Sequence, residues 1–333
     1  MKKFILKLLL FSIPIYLVIG SFFVFDPFKI LYSYNNLNQS AIDGVPLNND
    51  FLGTEVYINQ VKQYQYDSFV FGNSRSMGFR SKDWQKYLKS TASIYYFVAS
   101  SENLFGISKK INFINNTNGV IKNALVLLDY NTLYQTKESN KFHNKKHPAI
   151  TKKWLPFYFS ALDDYLGRFT IEYIDFKLFN TYRPYMKNID NKTDVSFDPQ
   201  TNEWTPSGFN KQIESEGQLY YKNRSNIFYE RNNLQSFHPP VIEQKQLLLL
   251  KEIKAIFNSQ KTNYKIIIMP LYDQIKLNDK DIKKLNNIFG ESNIYDFSGI
   301  NEYTKDMTNY YEDSHFKNNV GHNILNTIYN NQI

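Results

Sequence analysis

The chain contains no cysteine, which excludes disulfide bonds, thiol catalysis and cysteine-ligated zinc. That absence suits a cytoplasmic, periplasmic or surface protein equally well, so it leaves the compartment open. A long basic block is also missing: 39 Lys and Arg against 31 Asp and Glu give a net charge of +8, but the cations are scattered among Asn, Tyr and Ile. A chain that follows a phosphate backbone gathers its charge into one stripe, so nucleic acid is not an expected partner. No internal repeat of fixed period is visible.

Metal and cofactor patterns are incomplete. "HNKKH" places His143 and His147 four residues apart, yet supplies no third ligand in what reads as a polar loop. "DNKTD", residues 190–194, opens like a calcium loop but lacks the glycine and the closing glutamate. Neither a metal nor a cofactor is expected. His238, before two prolines, and His322, inside the last helical segment, read as structural or solvent-facing.

What is present begins at the N-terminus. Lys2, Lys3 and Lys7 precede an uncharged apolar run from Leu8 to Phe25, about the length that crosses a bilayer and longer than a signal-peptide core. Bulky Phe22 to Phe25 stand where a signal peptidase requires small side chains, so the run is expected to remain as an anchor. The alternative is a buried core helix. With the lysines held on the cytoplasmic side, everything after Asp26 would face the periplasm or the cell exterior.

The remaining length suffices for one large core with an insertion. Short β-branched and aromatic runs, "SFVFG" (68–72), "SIYYFVA" (93–99), "ALVLLDY" (124–130), "KIIIMPLY" (265–272) and "NIYDFSG" (293–299), read as buried strands. Helical spacing lies between them: Leu104, Ile107, Ile111 and Ile114, then Leu249, Leu250, Ile253 and Ile256, then "DKDIKKLNNIF", then Val320, Ile324, Leu325 and Ile328. Alternating strands and helices predict an α/β fold, a three-layer α/β/α sandwich with a central parallel sheet. The alternation lapses between about 135 and 240, where aromatic, amphipathic segments give way to turn formers. The expected organisation is an anchor over 1–28 and an α/β domain over 29–333, carrying an insertion or cap at about 135–240. Tyr and Phe in that insertion suit stacking on sugar rings, or packing a small core.

"FGNSRSMGF" follows the first strand, so Ser74 falls at the carboxyl edge of the sheet, where open parallel sheets bind ligands. Gly72, Asn73 and Ser74 also suit a simple turn and cap. The other end of the chain holds "YEDSH", with His315 just before the last helical segment, Glu312 three residues earlier and Asp313 two earlier. A serine hydroxyl needs a base to take its proton, and the imidazolium then benefits from a fixed carboxylate. On a helical turn, i and i+3 share a side and i and i+2 do not, which favours Glu312 over Asp313 as the partner of His315. Asp313 is expected to point away and accept backbone N–H groups.

Gly-Asn-Ser after the first strand, together with acid-x-x-His before the final helix, resembles the SGNH (GDSL-type) hydrolase superfamily, in particular its membrane-anchored members in cell-envelope polysaccharide acylation. The likeness covers roughly 66–134 and 240–328 and implies an SGNH- or flavodoxin-like sheet. It makes Ser74 the nucleophile, His315 the base and Glu312 the acid where the family usually has aspartate. The family's Gly-Asp-Ser is Gly-Asn-Ser here, and its Gly-x-Asn-Asp block is absent. Ser101, or Ser100, stands where the second block supplies an oxyanion donor. After the third strand Asn131 is the candidate donor, with Asp129 in the same turn and strand-end capping as the alternative. Two functions follow: a serine esterase or O-acyltransferase acting on acyl groups of an envelope glycan or lipid, or a non-catalytic module that binds glycan or partners a membrane acyltransferase.

Overall fold

A computed structural model describes residues 1–34, 44–189 and 195–330. The main elements run, in chain order, α1 (Lys2–Phe25), α2 (Asn49–Tyr64), β1 (Ser68–Phe71), β2 (Ile94–Tyr96), α3 (Leu104–Asn116), β3 (Asn123–Leu128), α4 (Tyr130–Tyr134), α5 (Trp154–Asp164) and α6 (Thr170–Phe179). They continue with α7 (Gln244–Gln260), β4 (Asn263–Ile268), α8 (Asp279–Phe289), β5 (Ile294–Asp296), β6 (Tyr310–Glu312), β7 (His315–Phe316) and α9 (Asn318–Asn330). The chain divides into two compact units, one of residues 1–52 and 139–193, the other of residues 53–138 and 194–333. The "DNKTD" segment lies outside the described residues.

In the second unit all five expected strands form one parallel sheet in the order β2-β1-β3-β4-β5. Central strands such as β3, "NALVLL", carry apolar side chains on both faces because both faces are covered. On one side Val70, Leu125, Leu127 and Ile267 share a cluster with Val320, Ile324, Leu325 and Ile328 of α9. Burying each of those aliphatic side chains contributes roughly 1.5–3 kcal/mol, so α9 is held mainly by this stripe. On the other side Tyr57 of α2 meets Phe69, Tyr95 and Phe97 from the sheet and Phe113 of α3. Ser108 of α3 donates to Glu252 of α7 at 2.5 Å, joining those two helices.

The first unit starts with α1, whose 24 residues span about 36 Å at 1.5 Å per residue, against a hydrocarbon core of about 30 Å. The helix is long and apolar enough to cross a membrane. It ends at Asp26, which takes a left-handed conformation (φ 41°). The buried Asp26 carboxylate accepts the N–H groups of Ile30 and Leu31, both at 2.9 Å, and so fixes the turn out of the helix.

Of the aromatic stretch between 135 and 240, residues 139–193 group with the N-terminal segment and residues 194–240 with the sheet. Phe142, Phe157, Tyr165, Phe169 and Tyr173 are buried with Phe22 and Phe28, while Trp204, Tyr220 and Phe228 join the core that holds α9. His143 and His147 sit on separate short turns. His143 pairs with Asp164 at 2.8 Å, and the His147 ring accepts the Ala149 N–H.

Candidate active site

Ser74 opens a short 3₁₀ turn (Ser74–Gly78) separated from the end of β1 by two residues, Gly72 and Asn73. Asn73 shapes the turn by accepting the Arg75 N–H at 3.0 Å on its side-chain oxygen. The result puts a serine hydroxyl at the carboxyl edge of the sheet, half-buried. Among the described residues the Ser74 amide N–H donates no hydrogen bond.

His315 and Glu312 reach the same place from the far end of the chain. Strands β6 and β7 form an antiparallel hairpin in which Glu312 and His315 are directly paired across a two-residue turn. The helical turn expected for "YEDSH" is therefore corrected: a tight hairpin, not a helix, brings i and i+3 together. Directly opposed residues of a hairpin carry their side chains on one face, which is why the pairing works. His315 Nε2 lies 2.8 Å from Ser74 Oγ, and His315 Nδ1 hydrogen-bonds Glu312 Oε1. The second Glu312 oxygen accepts the Ser314 N–H at 2.9 Å, so both carboxylate oxygens are held.

Burial raises the Glu312 pKa, but the His315 hydrogen bond and charge outweigh it and hold this carboxyl below its ordinary range. Asp313 moves the other way, pushed up by burial and by the Glu312 carboxylate beside it. Its carboxylate takes the Ser314 hydroxyl at 3.1 Å, whereas the backbone N–H it was expected to accept goes to Glu312.

Two glycines bring the last helix onto the serine turn. A Cβ on Gly78 would lie 2.1 Å from the Phe316 ring, and one on Gly321 would lie 2.0 Å from the Gly78 carbonyl oxygen. Asn318 adds a hydrogen bond to the Met77 carbonyl at 2.6 Å. Gly321→Ala replaces glycine inside a helix, which by propensity alone gains up to about 1 kcal/mol. Here the steric clash wins, and the variant should lose roughly 1–3 kcal/mol of stability. A urea midpoint at or above that of the parent would refute this close approach.

Arg75, to which sequence reasoning assigned no role, underlies the site together with Asp129, which takes the capping alternative. Arg75 donates through Nη1 to Asp129 and through Nε to the Ser314 carbonyl, both at 2.8 Å. It ties the serine turn to the hairpin bearing Glu312 and His315. Asp129, buried at the end of β3, also accepts Asn73 Nδ2 at 2.8 Å and caps α4 through the Thr132 N–H at 2.8 Å. Arg75→Ala leaves that carboxylate buried without its cation, so stability should fall by about 3 kcal/mol. An unchanged melting temperature would contradict the bridge. The signal in the sequence was the arginine next to Ser74 and the "DYNT" helix cap.

Ser101 and Asn131 are both exposed, Ser101 with a left-handed backbone (φ 51°) and Asn131 on α4. Neither is drawn into a hydrogen bond with Ser74 or His315. His238 stacks on Tyr130 with ring centroids 4.1 Å apart, and burial lowers its pKa. His322 contacts Asp83 at 3.2 Å. A cleft of about 830 Å³ is lined by Phe228, Tyr229, Arg231, Tyr272 and Met307 among others, and by none of Ser74, Glu312 and His315. Its Tyr272 meets Tyr310 of β6 edge-on at 5.3 Å, so the cleft backs onto the hairpin.

No protein-family model matches the chain, and no curated protein matches its sequence.

Proposed function

We propose that the protein is an SGNH-like serine esterase or O-acyltransferase, anchored by α1 with its remaining residues outside the cytoplasm, acting on acyl groups of an envelope glycan or acylated lipid. The observation that carries this reading is the continuous hydrogen-bonded chain from Ser74 Oγ through His315 to Glu312. The five-stranded sheet supports the same family, since its order, 2-1-3-4-5, is the flavodoxin-like doubly wound order, with the ligand edge at the strand carboxyl ends.

Ser74 Oγ would attack the acyl carbonyl while His315 Nε2 takes its proton, forming the Oγ–carbon bond of a tetrahedral intermediate. His315 then returns the proton to the departing alcohol oxygen as the original ester bond breaks. Glu312 holds Nδ1 and stabilises the imidazolium between these steps. The open Ser74 N–H is one donor for the oxyanion, with Ser101 or Asn131 as the proposed second. Water attacking the acyl-serine gives an esterase, and a sugar hydroxyl gives a transferase. The tyrosines lining the cleft support a glycan, because sugar faces stack on aromatic rings. A membrane acyltransferase is a suitable donor partner.

Purified chain should release nitrophenol from p-nitrophenyl acetate above the buffer rate, and a rate equal to buffer would sink the reading. For orientation, a reporter fused after Ile333 should be active only outside the cytoplasm, following Lys2, Lys3 and Lys7. A reporter active in the cytoplasm would reverse the topology.

A further inference from the structure

Helices α5 and α6, joined by a π-helical turn at Tyr165–Phe169, make an almost continuous rod in the first unit. One face of the rod is buried: Phe157, Ala161, Tyr165, Phe169, Tyr173 and Phe176 pack in the same core as Phe22 and Phe28. The opposite face leaves large apolar side chains uncovered, with the exposed Asp163 between Phe159 and Leu166. Leu155, Phe159, Leu166, Ile171 and Leu178 are between 43 % and 77 % exposed. A uniform α-helix would rotate Ile171 and Leu178 away from Leu155. The π turn takes in one additional residue, a rotation of about 100°, and so keeps them on one side.

A water-facing row of large aliphatic and aromatic side chains is not a solvent surface. Its surroundings identify what covers it. The buried face of the rod rests on the C-terminal end of α1: Phe22 meets Tyr165 with centroids 5.5 Å apart, Phe25 meets Tyr173 at 6.2 Å, and Ser21 hydrogen-bonds the Tyr165 hydroxyl at 2.8 Å. The apolar stretch of α1 stops at Phe25. If that helix crosses the bilayer, whatever packs beside Phe22 and Phe25 sits at the depth where hydrocarbon gives way to headgroups. The flanking chemistry matches that depth. Trp154 is half-exposed at the start of the rod, Lys152 and Lys153 precede it, and residues 139–189 carry nine Lys and Arg against four Asp and Glu, a net +5. Apolar side chains on one face with aromatic and cationic residues at the rim mark helices that lie in a membrane surface.

We propose that α5 and α6 lie in the lipid–water interface of the bilayer that α1 spans, with Leu155, Phe159, Leu166, Ile171 and Leu178 immersed among the acyl chains and the cations against anionic headgroups. The anchor is then a spanning helix plus an interfacial rod, which fixes the tilt of the first unit on the membrane. This inference is independent of the hydrolase reading and rests only on α1 being a membrane span.

The absence of cysteine makes a direct test simple. Phe159→Cys, Ile171→Cys and Leu178→Cys, each in the full chain, are labelled with a nitroxide and reconstituted in vesicles of phosphatidylcholine and phosphatidylglycerol with no other protein. Lys280→Cys, on an exposed position of α8, is the water-facing control. Collision with oxygen relative to a water-soluble nickel chelate should be several-fold higher at the three rod positions than at the control. Equal ratios at all four positions, in variants whose circular dichroism matches the parent, would overturn the proposal and leave the stripe to a protein partner.

Discussion

Ser74→Ala is expected to lower acyl-ester turnover by on the order of 10⁴-fold or more, and His315→Ala by a similar factor, because either change removes the path by which a neutral hydroxyl becomes a nucleophile. The two losses should not add in the double variant, since the groups act as one unit. Stability should change little. Ser74 and His315 are half-buried, and neither belongs to the apolar cluster that holds α9. Ligand-free melting temperatures within a few degrees of the parent, alongside collapsed turnover, separate a chemical effect from an unfolding one. Retained turnover in either variant would remove the dyad.

The second large effect concerns the acid. Glu312→Gln preserves shape but removes the charge that stabilises the imidazolium and fixes its tautomer, so turnover should fall by on the order of 10²–10⁴-fold. Asp313→Asn should leave turnover within a few-fold, because Asp313 holds the neighbouring Ser314 hydroxyl and makes no hydrogen bond to the His315 ring. Inactivity in Asp313→Asn with activity in Glu312→Gln would reverse the assignment. A pH consequence accompanies it. The folded-state pKa of Glu312 lies below its ordinary value of 4.5. Its charge therefore contributes stability that is fully present above that ordinary value and is lost as pH falls through the lower folded one. Glu312→Gln should shrink the difference between melting temperatures at neutral and acid pH, and an unchanged difference would argue against the pairing.

Much of the sheet was legible because buried parallel strands must be apolar on both faces, and "ALVLLDY" and "KIIIMPLY" can hardly read otherwise. The helices over residues 104–116 and 279–289 were legible from their apolar spacing. The pairing of Glu312 with His315 was legible too, though for a different reason than the one expected: sequence separation of three suits a helical turn and a two-residue hairpin equally. The hairpin seats Phe316 closely against Gly78, a contact across more than two hundred residues that no local pattern encodes. The Arg75–Asp129 bridge escaped for the same reason, as its partners meet only once β1 and β3 pair. The aromatic stretch after 135 carried no sign of its two destinations, because Phe and Tyr pack equally well in either core.

The central claim is that Ser74 is a nucleophile activated by His315. The most direct test treats the membrane-bound parent chain and Ser74→Ala with a fluorophosphonate probe, then maps the modified peptide by mass spectrometry. The account predicts one adduct, on Ser74 in the parent, with no labelling of the variant or of His315→Ala. A parent chain that stays unlabelled, or carries the adduct on another residue, would contradict it.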